Sequence, residues 1–528
     1  MPHAATRDLS ELDLAGKNLH LVGIGGSGMN GLARMLGGRG ARCTGSDANA
    51  SDVTEALEAE GIPVEVGSPG PLPAECDLVI RSAAIRDDHP QILEAEARGI
   101  RHVTYAEALG FAQSGRTTVS IAGTHGKSST TALLGFILAK CGFDPSVIVG
   151  ANVPQISGSE GGEGGGGGSR TGSARLPAGP FAGAPGAFVC EACEFNRSFH
   201  HHRPTFALIN NVEEDHLDCY GSLDEIVQSF RTFAELLPPA DPIGLATGTD
   251  AAIGGRLLIA HDGAHRREIA AGLACRVETF GFSPSADWQV VYDARSSRAG
   301  LLRDGHWVAQ WDLRLHGDHM ALNSAAAAII AHWYGAEWEA IAAAIAHFRG
   351  VERRMQKLGT RPVAGGEVTI YDDYGHHPTE CERTLKALRA AEQPKRLICV
   401  FQPHQHSRTR FLLDQFAASF ETADVVIVPH IYFVRDSEIE RTRVSASDLV
   451  DRLRQRGTTA MHLYPFAAIV DHLEVMCRPG DLVVVMGAGP VGSIAHEFLA
   501  RGDASAAGLQ AESRSLSGGA AEGAAACP

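Results

Sequence analysis

From Gly123 to Ser129 the chain reads GTHGKSS, residue types whose spacing can grip a nucleoside triphosphate. Glycines let backbone N–H groups turn toward phosphate oxygens, a lysine reaches the outer phosphates, and a Ser or Thr hydroxyl joins a Mg2+ shell. The strict pattern G-x-x-x-x-G-K-[ST] is not met, because Ile121 stands where its first glycine belongs. The shorter G-x-x-G-K-[ST] arises more readily by chance, and the alternative reading is an ordinary glycine turn with a solvated lysine. Context favours phosphate. An apolar β-type run precedes the loop, and an apolar helical pattern follows it to Lys140.

Phosphoryl transfer also needs hard ligands for Mg2+. Ser128 is one candidate. Glu191 and His216 are two more, each following an apolar strand-like run (187–190 and 206–209), where open α/β sheets carry their active groups. Glu191 could equally be an ordinary charged loop residue. Cys190 and Cys193, with His200 to His202 behind them, raise zinc or redox chemistry. Yet Cys190 belongs to a strand that should be buried, and packed thiols are the preferred reading.

A second glycine fingerprint, Gly23-Ile24-Gly25-Gly26-Ser27-Gly28, lies between a short strand and a helix, and Asp47 follows after the second strand. At face value this is a dinucleotide turn with an acid for a ribose hydroxyl. Another G-x-G-x-x-G, from Gly487 to Gly492, opens the last helix. Asp372-Asp373-Tyr374-Gly375-His376-His377 packs two acids and two histidines into one strand-to-helix turn, more than a helix cap requires. Arg353-Arg354 and Arg408-Thr409-Arg410 are basic spots in an acidic chain. They are either solvated pairs or clamps for phosphate and carboxylate, and clamps are favoured.

The elements that must position these groups alternate strand and helix, which predicts three α/β domains in series. A polar lead covers 1–17. A Rossmann-like domain follows over 18–115, then a central P-loop ATPase-type domain over 116–350, and a Rossmann-like third domain over 351–501. Residues 152–186 are rich in Gly, Ser, Ala and Pro and read as a flexible surface insertion; the tail 502–528 reads as disordered. At 528 residues the chain exceeds one core. A net charge of −16 argues against a sequence-independent grip on nucleic acid. No apolar run of about 18 residues suggests a membrane span, and no signal-peptide core opens the chain. Eleven scattered cysteines suit a reducing cytoplasm.

Taken together, GIGGSGMNGLARML, GSD, AGTHGKSSTT, CEACEFNRSF, NVEEDHLDCYG, FRGVERRMQ, YDDYGHHPTE, FQPHQHSRTR and MGAGPVGSIA resemble the Mur ligases, the ATP-dependent amino-acid-adding enzymes of peptidoglycan synthesis. They run in the family's order from residue 20 to about 500. Among family members the resemblance is to those that add L-alanine to UDP-N-acetylmuramate. It implies that the first glycine fingerprint holds the UDP part of a UDP-sugar rather than NAD. Gly23, Gly25, Gly26, Ser27, Gly28, Asp47, Ser82 and His125 would meet that substrate. Gly123, Thr124, His125, Gly126, Lys127, Ser128, Ser129 and Asn323 would meet ATP, with Ser128, Glu191 and His216 on Mg2+. Lys127, Arg354, Asp373, His376 and Arg408 would serve the chemistry. The implied reaction phosphorylates the lactyl carboxylate and lets the amine of L-alanine attack the acyl phosphate, with domain closure excluding water.

Met320 departs from the asparagine usual in the family before the Ala-rich helix, and Ser128-Ser129 replace two threonines while keeping the hydroxyls. No lysine stands between Lys140 and Lys357, so the carbamylated lysine of several siblings is absent from this region. Three rivals remain: a sibling ligase with another amino acid or peptide as acceptor, an NAD(P)-dependent oxidoreductase resting on two glycine turns, and a binding-only relative. Monomer and homodimer are both compatible with the sequence.

Overall fold

The computed structural model describes residues 14–157, 167–217, 219–240, 253–434 and 436–502. Most of the polar lead, the tail from 503 and the run 158–166 of the Gly-rich insertion lie outside them, as does the side chain of Ser27. The fold is α/β, with three sheets of mostly parallel strands flanked by helices. The chain divides into two compact units, Met1–Glu352 and Arg353–Pro528.

The first unit carries two sheets. Its N-terminal sheet has five parallel strands in the order Val64–Val66, Arg42–Asp47, Asn18–Val22, Leu78–Arg81, Arg101–Thr104. The order reverses between Asn18–Val22 and Leu78–Arg81, the switch point where such sheets open a crevice. Gly23 and Ser82 are the residues that leave those two strands. The helix Ser27–Gly38 starts directly after the glycine turn and buries Met29, Leu32, Met35 and Leu36 on the sheet.

The second sheet has ten strands. Thr117–Ala122 lies inside it, between Phe206–Ile209 and Ala187–Glu191, both parallel to it. All six of its residues are buried, as expected for a strand covered on both faces. Beyond Phe206–Ile209 the sheet continues through Arg256–Ala260, Arg276–Gly281 and Trp288–Asp293, then turns antiparallel through Arg298–Arg303 and His306–Asp312. Apolar clusters fill both faces. One contains the Ala-rich helix Asp318–Trp333 and the helix Lys127–Lys140, and the other contains Phe230, Phe233 and Tyr220.

The expectation that 152–186 is one flexible insertion is corrected at its described ends. Pro154–Ser157 is a helical turn, and Ser169–Arg170 pairs antiparallel with Val147 and Ile148 at the sheet edge. Leu176 is buried, and its N–H donates to Ala184 O at 2.8 Å. Backbone pairing satisfies polar groups that a composition count treats as solvated. The ordered arm also rides on the N-terminal helix. A Cβ on Gly31 would come 3.2 Å from Ser169 Cβ, and one on Gly38 would come 2.9 Å from Thr171 Oγ1.

The second unit is a six-stranded sheet in the order Gln356–Val363, Gly366–Asp373, Asp481–Met486, Arg396–Phe401, Val425–Val428, Thr459–His462. Only the first pair is antiparallel. Separate apolar cores cover its two faces. Among the described residues no helix is long and apolar enough to cross a membrane.

Candidate functional site

The phosphate loop leaves the carboxyl end of Thr117–Ala122 and feeds the helix Lys127–Lys140. Gly123 (φ +136°) and Gly126 (φ +82°) hold backbone conformations that a side chain disfavours. Two asparagines at the end of Phe206–Ile209 brace the loop. Asn211 Oδ1 accepts from His125 N at 2.8 Å, and Asn210 Nδ2 donates to Thr130 Oγ1 at 3.3 Å. Thr124 Oγ1 accepts from Glu213 N at 2.9 Å, and His125 Nε2 lies 3.4 Å from Glu213 Oε2. Ser128 and Ser129 are buried in the first helical turn. Asn323, on the neighbouring Ala-rich helix, faces the loop, since a Cβ on Gly126 would come 2.7 Å from its Oδ1. Its Nδ2 lies 3.8 Å from Met320 Sδ.

Lys127 is the cation of this loop. Its Nζ donates to Gly123 O (2.6 Å) and Thr124 O (3.0 Å) and forms an ion pair with Glu194, 3.1 Å from Oε1 and 2.9 Å from Oε2. Burial opposes the ammonium, but Glu194, helped by Glu191, outweighs it and raises the lysine above its ordinary value. Glu191 ends the strand Ala187–Glu191, and its Oε1 accepts from Gly150 N at 2.6 Å. His216 sits at φ +53°, with Nε2 3.7 Å from Asp215 Oδ2 and 4.0 Å from Glu194 Oε1. The structure thus gathers Lys127, Glu191, Glu194 and His216 at adjacent strand ends. Ser128, Glu191 and His216 offer a hydroxyl, a carboxylate and an imidazole, a mostly hard donor set that fits Mg2+, while both oxygens of the Glu194 carboxylate are turned to Lys127.

At the N-terminal switch point Gly25 N donates to Asp47 Oδ2 at 2.9 Å, tying the acid to the glycine turn. Gly23 lies against Ser82, whose Cβ would be 3.0 Å from a Cβ on the glycine. Gly28 lies under Tyr105, at 2.7 Å by the same measure, and Gly26 precedes the helix with extended backbone. A cavity of about 510 Å³ opens beside Ser82, lined by Arg81, Arg86 and Tyr105 and, from the larger sheet's side, by Asn196, Ser198 and His201. Its size suits part of a drug-sized or nucleotide-sized ligand.

In the second unit Asp373 accepts from Met355 N and Gly375 N, each at 2.7 Å; burial raises its carboxyl to about 6 against those bonds and the Arg354 charge. Arg354 stacks over Tyr374 at 4.7 Å, Tyr374 meets His376 at 5.4 Å, and His376 meets His404 at 5.8 Å. Arg408 Nη1 lies 3.3 Å from His404 Nδ1. Arg354, Asp373, His376 and Arg408 therefore belong to one cluster, with Tyr374 and His404 between them. The glycine turn from Gly487 to Gly492 is closed off: Arg353 Nη2 donates to Gly487 O at 2.7 Å and Gly489 O at 3.2 Å, and Gly489 packs on Tyr432. A turn so filled offers no pyrophosphate cradle.

The Cys190 thiol is buried against Gln113 Nε2 (3.4 Å), and burial pushes it up to about 12. His200 Nε2 meets Ser229 O at 3.0 Å, and His202 Nδ1 meets Ser120 Oγ at 2.9 Å and Gln113 Nε2 at 3.0 Å. These are packing partners for the thiol and imidazoles, as the sequence favours.

Sequence reasoning passes over Glu194, Asn210, Asn211, Tyr374 and His404 as functional residues. A second acid three positions after Glu191, paired asparagines at a strand end and a tyrosine within the acid–histidine turn were the available signals.

The Mur ligase profiles match three consecutive stretches: the family's catalytic domain over residues 18–116, its middle domain over 121–331, and its glutamate ligase domain over 353–489. A UDP-N-acetylmuramate–L-alanine ligase of Caldanaerobacter subterraneus subsp. tengcongensis is 34% identical over 93% of this chain and 99% of its own length. The enzyme of that name from Pelotomaculum thermopropionicum is 35% identical, over 92% and 97%. Among solved structures, the Thermotoga maritima UDP-N-acetylmuramate–alanine ligase superposes with a TM-score of 0.72 at 22% identity, over 92% of this chain and 99% of that one. A murein peptide ligase from Psychrobacter arcticus gives 0.66 at 23% identity, over 92% and 98%. The chain belongs to the Mur ligase family.

Proposed function

We propose that the protein joins L-alanine to the lactyl carboxylate of UDP-N-acetylmuramate at the expense of ATP, in peptidoglycan synthesis. One observation carries this reading: a phosphate loop whose buried lysine faces acids and an imidazole at adjacent strand ends, in a chain about a third identical to such ligases over nearly its whole length.

The lactyl carboxylate attacks the γ-phosphorus of ATP and ADP departs. The amine of L-alanine then adds to the acyl carbon, and the tetrahedral intermediate expels inorganic phosphate. Backbone N–H groups of Gly123–Ser129 hold the triphosphate, and Lys127 neutralises its outer oxygens. Asn323 steadies the loop and the nucleotide. Ser128, Glu191 and His216 would hold Mg2+, which supplies charge neutralisation at the phosphates when bound. The first glycine turn, Asp47 and Ser82 take the UDP part, with His125 toward the sugar. In the second unit Arg354, Asp373, His376 and Arg408 serve the acyl phosphate and the amino acid, orienting groups rather than forming covalent bonds. The three domains run over 18–115, 116–350 and 351–501.

Phosphate release is measured with ATP, Mg2+ and UDP-N-acetylmuramate, adding L-alanine, glycine, L-serine or a tripeptide separately. Release that requires both the UDP-sugar and L-alanine is expected. Response to the tripeptide alone moves the protein to a sibling activity.

A further inference from the structure

Lys127 directs its bonds inward. Two loop carbonyls and the Glu194 carboxylate lie within 3.1 Å of its ammonium, which leaves no donor free for a phosphate oxygen. The Glu194 side chain is only 4% exposed, so it is held in place rather than sampling solvent. Its backbone is fixed as well: Tyr220 Oη donates to Glu194 O at 2.5 Å, and Arg197 N donates to the same oxygen at 2.9 Å. The two residues that follow in FNR, Asn196 and Arg197, sit at φ +51° and +53°, which pins the turn that presents the carboxylate. The other face of that carboxylate borders His216 Nε2 at 4.0 Å. Glu191 adds further negative charge toward the lysine.

A carboxylate 2.9 Å from Lys127 Nζ takes up the donor that a nucleotide oxygen would need. We propose that Glu194 is an internal counter-anion that occupies Lys127 in the nucleotide-free protein and makes nucleotide binding depend on a divalent cation. This rests on reading Gly123–Ser129 as a phosphate site. A bare triphosphate must displace one buried negative charge and then sit beside it, and the repulsion is offset only when the nucleotide arrives complexed with a cation. Glu194 is a positioning residue here. It acts on the nucleotide through Lys127.

Isothermal titration of the full chain with ATP, in EDTA and in Mg2+, tests this with wild type, Glu194→Gln and Lys127→Ala. The isosteric Glu194→Gln variant keeps the backbone bonds to Tyr220 and Arg197 and removes the charge. In EDTA it is expected to bind ATP about tenfold tighter than wild type, the scale of one charge repulsion in a partly screened site. The preference for Mg2+ then shrinks by the same factor. Lys127→Ala should bind weakly in both buffers. Unchanged or weaker ATP binding by folded Glu194→Gln in EDTA overturns the proposal, as does a loss confined to Mg2+, which would make Glu194 a metal ligand alone. Wild type that fails to bind ATP even with Mg2+ overturns the phosphate-site reading itself. Where circular dichroism shows Glu194→Gln unfolded, Glu194→Asp withdraws the carboxylate by one methylene, and an intermediate gain in EDTA is expected; no gain overturns the proposal.

Discussion

Gly126 and Asn323 are fitted so closely that a Cβ on the glycine would lie 2.7 Å from the asparagine Oδ1, while the glycine holds φ +82°. Strain and clash act together at this one position. Gly126→Ala should cost about 1–3 kcal/mol locally and distort the loop whose N–H groups we propose hold the triphosphate. We expect ATP affinity to fall at least about tenfold, the equivalent of 1.4 kcal/mol, with the circular dichroism spectrum retained. Calorimetric titration with ATP and Mg2+ checks this, and wild-type affinity in the variant contradicts it.

Gly28 poses the same question at the N-terminal glycine turn, which we propose takes the UDP part of the substrate. A side chain there would meet the Tyr105 ring at 2.7 Å, next to the cavity lined by Ser82 and Tyr105. Gly28→Ala should raise KM for the UDP-sugar about tenfold or more, given an overpacking cost of about 1–3 kcal/mol. Affinity for ATP should stay put. Equal losses for both substrates would show that the two sites are not separable.

His202 predicts an acid weakness in the first unit. Gln113 Oε1 accepts from Arg203 N at 2.6 Å, so its amide nitrogen faces His202 Nδ1 and the ring must be neutral there. Burial, with a smaller contribution from His201, pushes the imidazole down to about 3. The unfolded chain takes a proton near pH 6.5, and the folded chain refuses it. Stability is therefore full above pH 6.5 and falls as the pH drops toward 3, by about 2 kcal/mol at pH 5. His202→Gln should flatten thermal unfolding against pH over this interval. An equally steep variant contradicts the assignment.

Arg353 guards a buried acid in the second unit. Asp372 is 1% exposed, and Arg353 Nε lies 3.3 Å from its Oδ2 while the same guanidinium closes the Gly487 turn. Arg353 is itself 32% exposed, and His496 also offsets the charge, so removing the cation should cost about 1–3 kcal/mol. Arg353→Met should speed hydrogen exchange in Gly366–Asp373 and Asp481–Met486 while leaving Thr117–Ala122 unchanged. Uniform protection in all three strands contradicts it.

Much of this was legible in the sequence because each signal was local. GTHGKSS sits after an apolar strand, and GIGGSG between a strand and a helix, so pattern and context agreed. The resemblance also redirected the first glycine turn from NAD to a UDP-sugar. Less legible were the partners supplied by distant chain. Nothing in CEACEF says that its second glutamate, 67 positions from Lys127, meets that lysine. Nor does the sequence show that Arg353 fills the Gly487 turn from 134 positions away. The insertion misled because Gly and Ser abound in it, whereas one buried Leu176 and an edge pairing at Ser169–Arg170 order its second half.

The most direct measurement follows one oxygen atom. UDP-N-acetylmuramate labelled with 18O in its lactyl carboxylate is converted with ATP, Mg2+ and L-alanine, and the released phosphate is analysed by mass spectrometry. Activation through an acyl phosphate carries one carboxylate oxygen into the phosphate, so phosphate bearing a single 18O is expected for each product formed. Unlabelled phosphate, released while the amide still forms, would contradict the account.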